Sequence, residues 1–277
     1  MSTDLNLAVV TVVAGRHRHL RHQHRSLAAG TRVPDQVVVV AMGDPEVAEV
    51  VADGPLRTVS TVHHVPAPGE LPLARARNRG VAAALEAGAD LVVLLDVDCL
   101  ASPGLLEGYQ RAARQRQGLL CGPVAYLPAL PAGRTSYDAA QIAAARPHPG
   151  RPAPAPGELL PMTDLRLFWS LSFAVDRETW DAVGGFDEEY VGYGGEDTDF
   201  GQRAARAGVP GWWVGGAVAH HQWHPVSDPP IEHVAAIVRN ANLFRRRWGW
   251  FPMEGWLAAF ADAGLARRAG DRWEVTP

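Results

Sequence analysis

Lysine is absent from this chain of 277 residues, and all 26 of its basic residues are arginine. With no amine side chain there can be no P-loop lysine, no Schiff base and no kinase-type catalytic lysine. Cysteine is nearly absent too. Cys99 and Cys121 lie far apart and form no CxxC. That argues against a disulfide framework or a cysteine zinc site and favours two reduced, partly buried thiols. No apolar run approaches the ~20 residues that span a bilayer. The opening text, MSTDLNLAVVTVV, places an Asp and no Arg ahead of its first apolar run, unlike the charged start of a signal peptide. The expected compartment is the cytoplasm. A net charge of −4 and a pI of about 6.2 argue against a general nucleic-acid binder.

What is present is a globular composition, 47% hydrophobic and 20% charged, at a length suited to one large α/β domain or one domain with a small extension. Strand-like apolar runs occupy Leu7–Val13, Gln36–Met42, Arg57–Val65 and Leu91–Asp96. Helical text over Arg16–Ala29, Pro45–Val51 and Leu73–Ala87 separates them. Continuous apolar strands alternating with helices predict a mostly parallel central sheet flanked by helices. Ligands of such sheets bind beyond the C-terminal strand ends. The proline-rich text at 146–161 predicts an extended, exposed loop inside the domain. Beyond it, Ser170–Val175 reads as a strand, Arg177–Val183 as a helix and Glu196–Ala207 as a helix closed by Gly208. Trp212–Ala219 reads as a strand and Ile231–Trp248 as a helix.

Three motifs carry chemistry. In LDVDC, at 95–99, a buried strand runs into Asp96 and Asp98. Residues two apart in a strand point the same way, so two carboxylates so placed can share one cation and the oxygens of a nucleotide. The competing explanation is a loop-capping pair of Asp. In VGGFDEEYVGYGGEDTDF, at 183–200, five glycines with Tyr190 and Tyr193 lead into Glu196, Asp197 and Asp199 in the first turn of a helix. There the macrodipole favours carboxylate, which predicts a low pKa. Plain N-terminal capping is the alternative. Capping does not explain the aromatic, glycine-rich lead-in, which suits a base facing a sugar hydroxyl with the two rings as a platform. The third motif is HHQWHP at 220–225, three imidazoles in five residues, open to metal ligation or to ordinary hydrogen bonding.

In order and approximate spacing these motifs resemble GT-A glycosyltransferases, with the nearest likeness to family 2 enzymes and to the catalytic region of the beta-4-galactosyltransferases. GRHRHL at 15–20 and LARARNRG at 73–80 are similar to family 2 text, and the likeness runs over roughly residues 7–225. It implies a GT-A fold and an inverting transfer from a nucleotide-diphosphate sugar to an acceptor hydroxyl, saccharide, lipid-linked or small-molecule. It implies Mn²⁺ or Mg²⁺ held by Asp98 and His221, with His220 and His224 as alternatives. Asp197 would be the general base, Glu196 would orient a sugar, and Asp96 would touch the donor's ribose or sugar. Val13, Arg16, Asp44, Arg75, Arg77 and Ser170 would line the nucleotide-sugar site, with Tyr190 and Tyr193 at the acceptor. Two departures bear on the donor. AMGDP at 41–45 stands where family 2 enzymes carry Asp-Asp-Gly-Ser, so Asp44 substitutes for the base-reading acid. Ser170 stands where the galactosyltransferases use Gly.

On this basis 1–277 is a single domain, with a nucleotide-binding half over 1–125, a donor and acceptor half over 126–225 and a C-terminal helical extension over 226–277. A non-catalytic nucleotide-sugar-binding module, a metal-dependent phosphoesterase and a nucleotidylyltransferase are the competing functions. The last lacks both its glycine-rich loop and its lysine here. RHRHLRHQHR at 16–25 reads as a solvated, basic helix face rather than a metal site. RRRWGWFPMEGW at 245–256 would allow at most peripheral membrane contact and reads rather as a helix packing over the sheet or the cleft.

Overall fold

The computed structural model describes residues 4–276. Met1 to Thr3, where the opening text read for a leader begins, and Pro277 lie outside the described residues. The first half runs β1 (Leu7–Val13), α1 (His17–Ala28), β2 (Gln36–Met42), α2 (Val47–Ala52), β3 (Ser60–Val65), α3 (Leu73–Glu86) and β4 (Leu91–Leu95). Next come β5 (Cys99–Ala101), α4 (Leu105–Ala113), β6 (Leu119–Cys121), β7 (Val124–Tyr126), α5 (Ala139–Ala144), β8 (Arg146–Pro147) and β9 (Leu159–Pro161). The remainder is β10 (Ser172–Val175), α6 (Arg177–Val183), α7 (Glu196–Arg206), β11 (Gly211–Val214), β12 (Ala219–His221), α8 (Val234–Trp248), α9 (Glu254–Asp262), β13 (Ala266–Ala269) and β14 (Arg272–Val275).

The main sheet has the order β3-β2-β1-β4-β10-β6-β11-β9. Its pairs β3–β2, β2–β1, β1–β4 and β6–β11 are parallel, and β10 runs antiparallel between β4 and β6. Strand alternation sends Leu7, Val9 and Val13 into the core layer beneath α1, α2 and α4, and Ala8, Val10 and Val12 into the layer beneath α3, α6 and α7. The apolar runs are continuous because both faces are covered.

Two expectations need correction. Trp212–Ala219 is not one strand. Gly215 and Gly216 break it, and β11 stays in the main sheet while β12 crosses to a small sheet of order β5-β12-β7-β8. The break is steric, because a Cβ on Gly215 would lie 1.8 Å from the carbonyl oxygen of Ala155. The 146–161 segment is therefore seated against the sheet, with β8 and β9 at its ends, rather than free of it. The C-terminal extension is also not purely helical. β13 and β14 form an antiparallel hairpin, docked on α8 by a reciprocal pair in which Asn242 donates to the Trp273 carbonyl at 2.7 Å and accepts from its N–H at 2.8 Å. Among the described residues no helix is long and apolar enough to cross a membrane.

The close approach of α3 to the sheet rests on Gly80, where a Cβ would meet Val10 Cγ1 at 2.4 Å and Val40 Cγ2 at 3.1 Å. Gly80→Ala gains about 1 kcal/mol of helix propensity and loses more to overpacking. A net destabilisation of about 1–2 kcal/mol is expected in urea unfolding, and an unchanged midpoint would contradict this packing.

Candidate active site

β4 ends at Leu95, and the chain turns through Asp96 to Cys99, whose N–H donates to the Asp96 carbonyl at 2.8 Å. The turn separates the two acids of the motif. Asp96 faces Arg77 on α3, whereas Asp98 faces Arg16, His221 and His224. The two acids therefore have different partners, because the strand stops before the first of them and its alternation does not extend to the pair. Helix α1 shapes the turn. Gln23, wholly buried, donates from Nε2 to the carbonyl oxygens of Asp96 at 2.7 Å and Cys99 at 3.2 Å, and its Oε1 accepts from Thr11 at 2.9 Å. The 16–25 stretch is solvated on its arginine side, where Arg18, Arg21 and Arg25 are exposed, but its other side is not: Gln23 and His24 are core residues, and His17 and His22 are hydrogen-bonded to Asp44 and Gln222.

The histidine arm is fixed by register. β12 pairs antiparallel with β5, His221 opposite Cys99, and the Gln222 N–H continues the ladder to the Asp98 carbonyl at 2.6 Å. Alternation turns His220 to the other face, and the residues that could hold an ion are Asp98, His221 and His224, whose donor atoms all lie within 4.8 Å of one another. Asp98 Oδ1 is 3.6 Å from His221 Nε2, and Oδ2 is 3.5 Å from His224 Nε2. Burial alone would raise the Asp98 carboxyl. The His224 hydrogen bond and the charges of His221 and Arg16 outweigh it and bring it down to about 2. Burial lowers His221, more than Asp98 raises it, and so favours the neutral, ligating imidazole. Arg16, at the start of α1, sits in the left-handed region at φ 48° and ion-pairs with Asp98. One carboxylate and two imidazoles fit a divalent ion such as Mn²⁺.

The acids of α7 lie on the other side of Arg77. Arg77 is only 5% exposed. It donates from Nη1 to Glu196 Oε1 at 2.9 Å and from Nη2 to Asp96 Oδ1 at 3.3 Å. Expected to line the nucleotide-sugar site, it is paired here with the half-buried Asp96 and the buried Glu196. The Asp197 carboxylate accepts from the Thr198 N–H at 2.6 Å. Its burial, reinforced by the neighbouring Glu196 charge, overcomes Arg77 and the Thr198 bonds and pushes it up to about 7. The low pKa expected from the helix dipole is therefore wrong, because desolvation outweighs it. Burial likewise raises Asp96, against Arg77, to about 6.

The glycine-rich lead-in is moulded by α8. Asn240 donates from Nδ2 to the carbonyl oxygens of Val191 at 3.0 Å and Gly194 at 2.8 Å. Gly192, at φ 75°, lets α8 pass so close that a Cβ would meet Ala236 Cβ at 2.8 Å. Tyr193 is exposed and stacks on His233 at 4.8 Å, with Trp256 at 5.9 Å. Partial burial, and then the charges of Asp197, Glu196, Asp96 and Asp98, raise its phenol. Tyr190 is not a platform. It is 2% exposed and donates to the buried Asp199, which also accepts from Trp248 Nε1 at 2.7 Å. The aromatic and basic stretch at 245–256 is thus spent internally, with Phe251 in the core under Arg245 and Arg268.

Four other expected residues are dispersed. Val13 is buried at the end of β1 and offers a ligand only its backbone. Asp44 braces the neighbouring turn, accepting from the Gly15 N–H at 2.7 Å and from His17 at 2.8 Å. Arg75 is exposed and pairs with Glu188, away from the acids. Ser170 is buried just ahead of β10, beside Leu171, whose carbonyl accepts from the Asp96 N–H at 3.0 Å. Sequence reasoning missed Gln23 and Asn240 as site-builders, because both reach across the fold to distant segments.

Residues 161–220 match a family model described as the N-terminal domain of galactosyltransferase. The validoxylamine A glucosyltransferases of Streptomyces hygroscopicus subsp. jinggangensis and subsp. limoneus are each 30% identical over 86 residues. Those matches take in 29% of this chain, and 18% and 17% of the respective relatives, so the chain covers less than a fifth of their length. Among solved structures, S. aureus TarS 1-349 aligns over 86% of this chain and 65% of its own, with a TM-score of 0.56 at 14% identity. GalNAc-T7, solved with UDP, GalNAc and Mn²⁺, aligns over 95% of this chain and 57% of its own, with a TM-score of 0.57 at 14% identity. The chain has the GT-A fold, as the three motifs implied.

Arg77→Met strands Asp96 and Glu196 without a counter-charge. A loss of about 3–5 kcal/mol is expected at pH 8, shrinking towards pH 5 as Asp96, raised to about 6, takes up its proton. Urea unfolding at the two pH values checks it, and a pH-independent loss would contradict the charge argument.

Proposed function

We propose that the GT-A chain is a divalent-metal-dependent, inverting glycosyltransferase that moves a sugar from a nucleotide-diphosphate donor to an acceptor hydroxyl. The observation that carries the reading is the buried Arg77, which ion-pairs with Asp96 in the turn that also carries Asp98 and with Glu196 at the helix start that carries Asp197. Asp98 in turn is grouped with His221 and His224, a set that could hold a metal ion. The names of the similar proteins support it, two of them glucosyltransferases and one a structure holding UDP, GalNAc and Mn²⁺.

In this reading the bound ion supplies charge neutralisation for the departing nucleoside diphosphate. The chain's own residues do the rest. Asp98, His221 and His224 would hold the ion, and Arg16, beside Asp98 at the start of α1, would meet phosphate oxygens. Asp197 accepts the acceptor's hydroxyl proton as that oxygen bonds to the anomeric carbon and the carbon–phosphate-oxygen bond breaks. A carboxyl pushed up to about 7 is well matched to that task, because a base is most effective with a pKa near the working pH. Tyr193, stacked and exposed, provides the platform for the acceptor, and Glu196, fixed by Arg77, orients a sugar beside it.

Asp197→Asn is expected to keep Mn²⁺–nucleotide binding and lower transfer about 10²–10⁴-fold. Wild-type kcat/KM should fall about tenfold per unit below about pH 7, the titration of Asp197. The native state binds the Asp197 proton more tightly than the unfolded chain, so ionisation costs stability as the pH rises from about 4 to about 7. The Asn variant should therefore melt higher than wild type at pH 8. A fully active Asn variant would remove Asp197 as the base. Donor binding without turnover on any acceptor would favour a non-catalytic module.

The triad makes a separate prediction, read by Mn²⁺ titration with electron paramagnetic resonance. His221→Ala and His224→Ala should each weaken binding at least about tenfold, and His220→Ala should leave it unchanged. Equal losses from all three would contradict the ligand assignment.

A further inference from the structure

Arg151 lies in the middle of the proline-rich segment and is only 7% exposed. Its Nε, Nη1 and Nη2 are all buried with no hydrogen-bond partner among the described residues. The guanidinium is sandwiched between two indoles, its central carbon 5.1 Å from the Trp169 ring and 4.7 Å from that of Trp213. Stacking satisfies the faces of a guanidinium but not its N–H groups, which radiate in the plane and call for a planar anion. A buried cation without an acceptor is costly, and the fold keeps it by building the loop onto the end of β11. Gly215 donates to the Glu158 carbonyl at 2.9 Å and its own carbonyl accepts from Gly157 at 3.2 Å.

The side chain sits at one end of a row of rings. Trp169 meets His148 edge-on at 4.9 Å, His148 meets Tyr126 at 6.0 Å, and Tyr126 meets the triad's His221 at 5.1 Å. Burial lowers the Arg151 pKa, and Cys121, Tyr109, Tyr126 and Asp197 act against it, which places the guanidinium within the field of the proposed base. The triad and Arg16 occupy the opposite end of the row, where the diphosphate belongs. An anion at Arg151 is therefore a second one.

Resting on the transferase reading, we propose that Arg151 recognises an anionic substituent, a carboxylate or phosphate, carried by the transferred sugar or by the acceptor and distinct from the donor's diphosphate. The fork of N–H groups would take it bidentately, and the two indoles would hold the fork in plane.

Calorimetry on the wild-type protein with Mn²⁺ tests this, with UDP and GDP as the baseline. One arm compares UDP-glucuronate with UDP-glucose and GDP-mannuronate with GDP-mannose, for an acid on the donor. The other, at saturating UDP or GDP, compares glucose 6-phosphate and mannose 6-phosphate with the free hexoses, for an acid on the acceptor. One arm should show the acidic member binding at least about tenfold tighter, the scale of a charge-assisted pair. Arg151→Gln should erase that gap and leave UDP or GDP binding within about twofold of wild type. No gap in either arm overturns the proposal on the wild-type protein alone, whether or not the variant folds. An Arg151→Gln variant that loses nucleoside diphosphate as severely as the acidic ligand also overturns it, assigning Arg151 to the diphosphate. Failure of both UDP and GDP to bind with Mn²⁺ would overturn the transferase reading and this proposal together, whereas binding of one of them with no acid preference sinks the Arg151 proposal alone.

Discussion

The guanidinium of Arg77 is the interaction on which the site depends. It stands between a turn that ends a strand and a helix that starts about a hundred residues later, and it touches an acid from each. Burial has already driven Asp96 and Asp197 up towards neutral values, so these carboxyls would repel or protonate without a fixed cation among them. One arginine, held by α3, sets both the spacing of the two acid sets and the charge they carry.

The scaffolding around Arg77 is polar and buried. Thr11 and Gln23 replace apolar residues at the interface of β1 with α1, where they hold the Asp96–Cys99 turn by its carbonyl oxygens. Gln222 links the histidine arm to the same helix, accepting from His22 at 2.9 Å and donating to the His19 carbonyl at 3.3 Å. Helix α1 thereby clamps both sources of the ligand triad. Such side chains are worth their burial because each is satisfied several times over.

Local pattern was enough for the elements that local pattern governs. The valine-rich runs of β1, β2 and β4 and the acidic first turn of α7 were readable because apolar continuity and helix-start chemistry are properties of neighbours. The same reasoning failed where distant chain decides. It joined β11 to β12, since only the loop passing Gly215 separates them. It gave Asp197 a low pKa, since the dipole is local and desolvation is not. It took Tyr190 for a platform, though Asp199 and Trp248 claim it. It named Asp98 and His221, but that His224 rather than His220 lies beside them waited on the pairing of β12 with β5. Gln23, Asn240 and Arg151 carried no signal beyond being polar, since their partners lie far away in the chain.

The clasp between Asp199 and Trp248 makes the C-terminal segment a condition of the upstream helix rather than an appendage. A polypeptide cut after the histidine arm would still contain every acid and imidazole of the site. It would lose the indole donor to a carboxylate that is 1% exposed, and the amide of Asn240 that moulds the loop ahead of Glu196. Minimal fragments or domain fusions made from this scaffold therefore have to carry α8 with them.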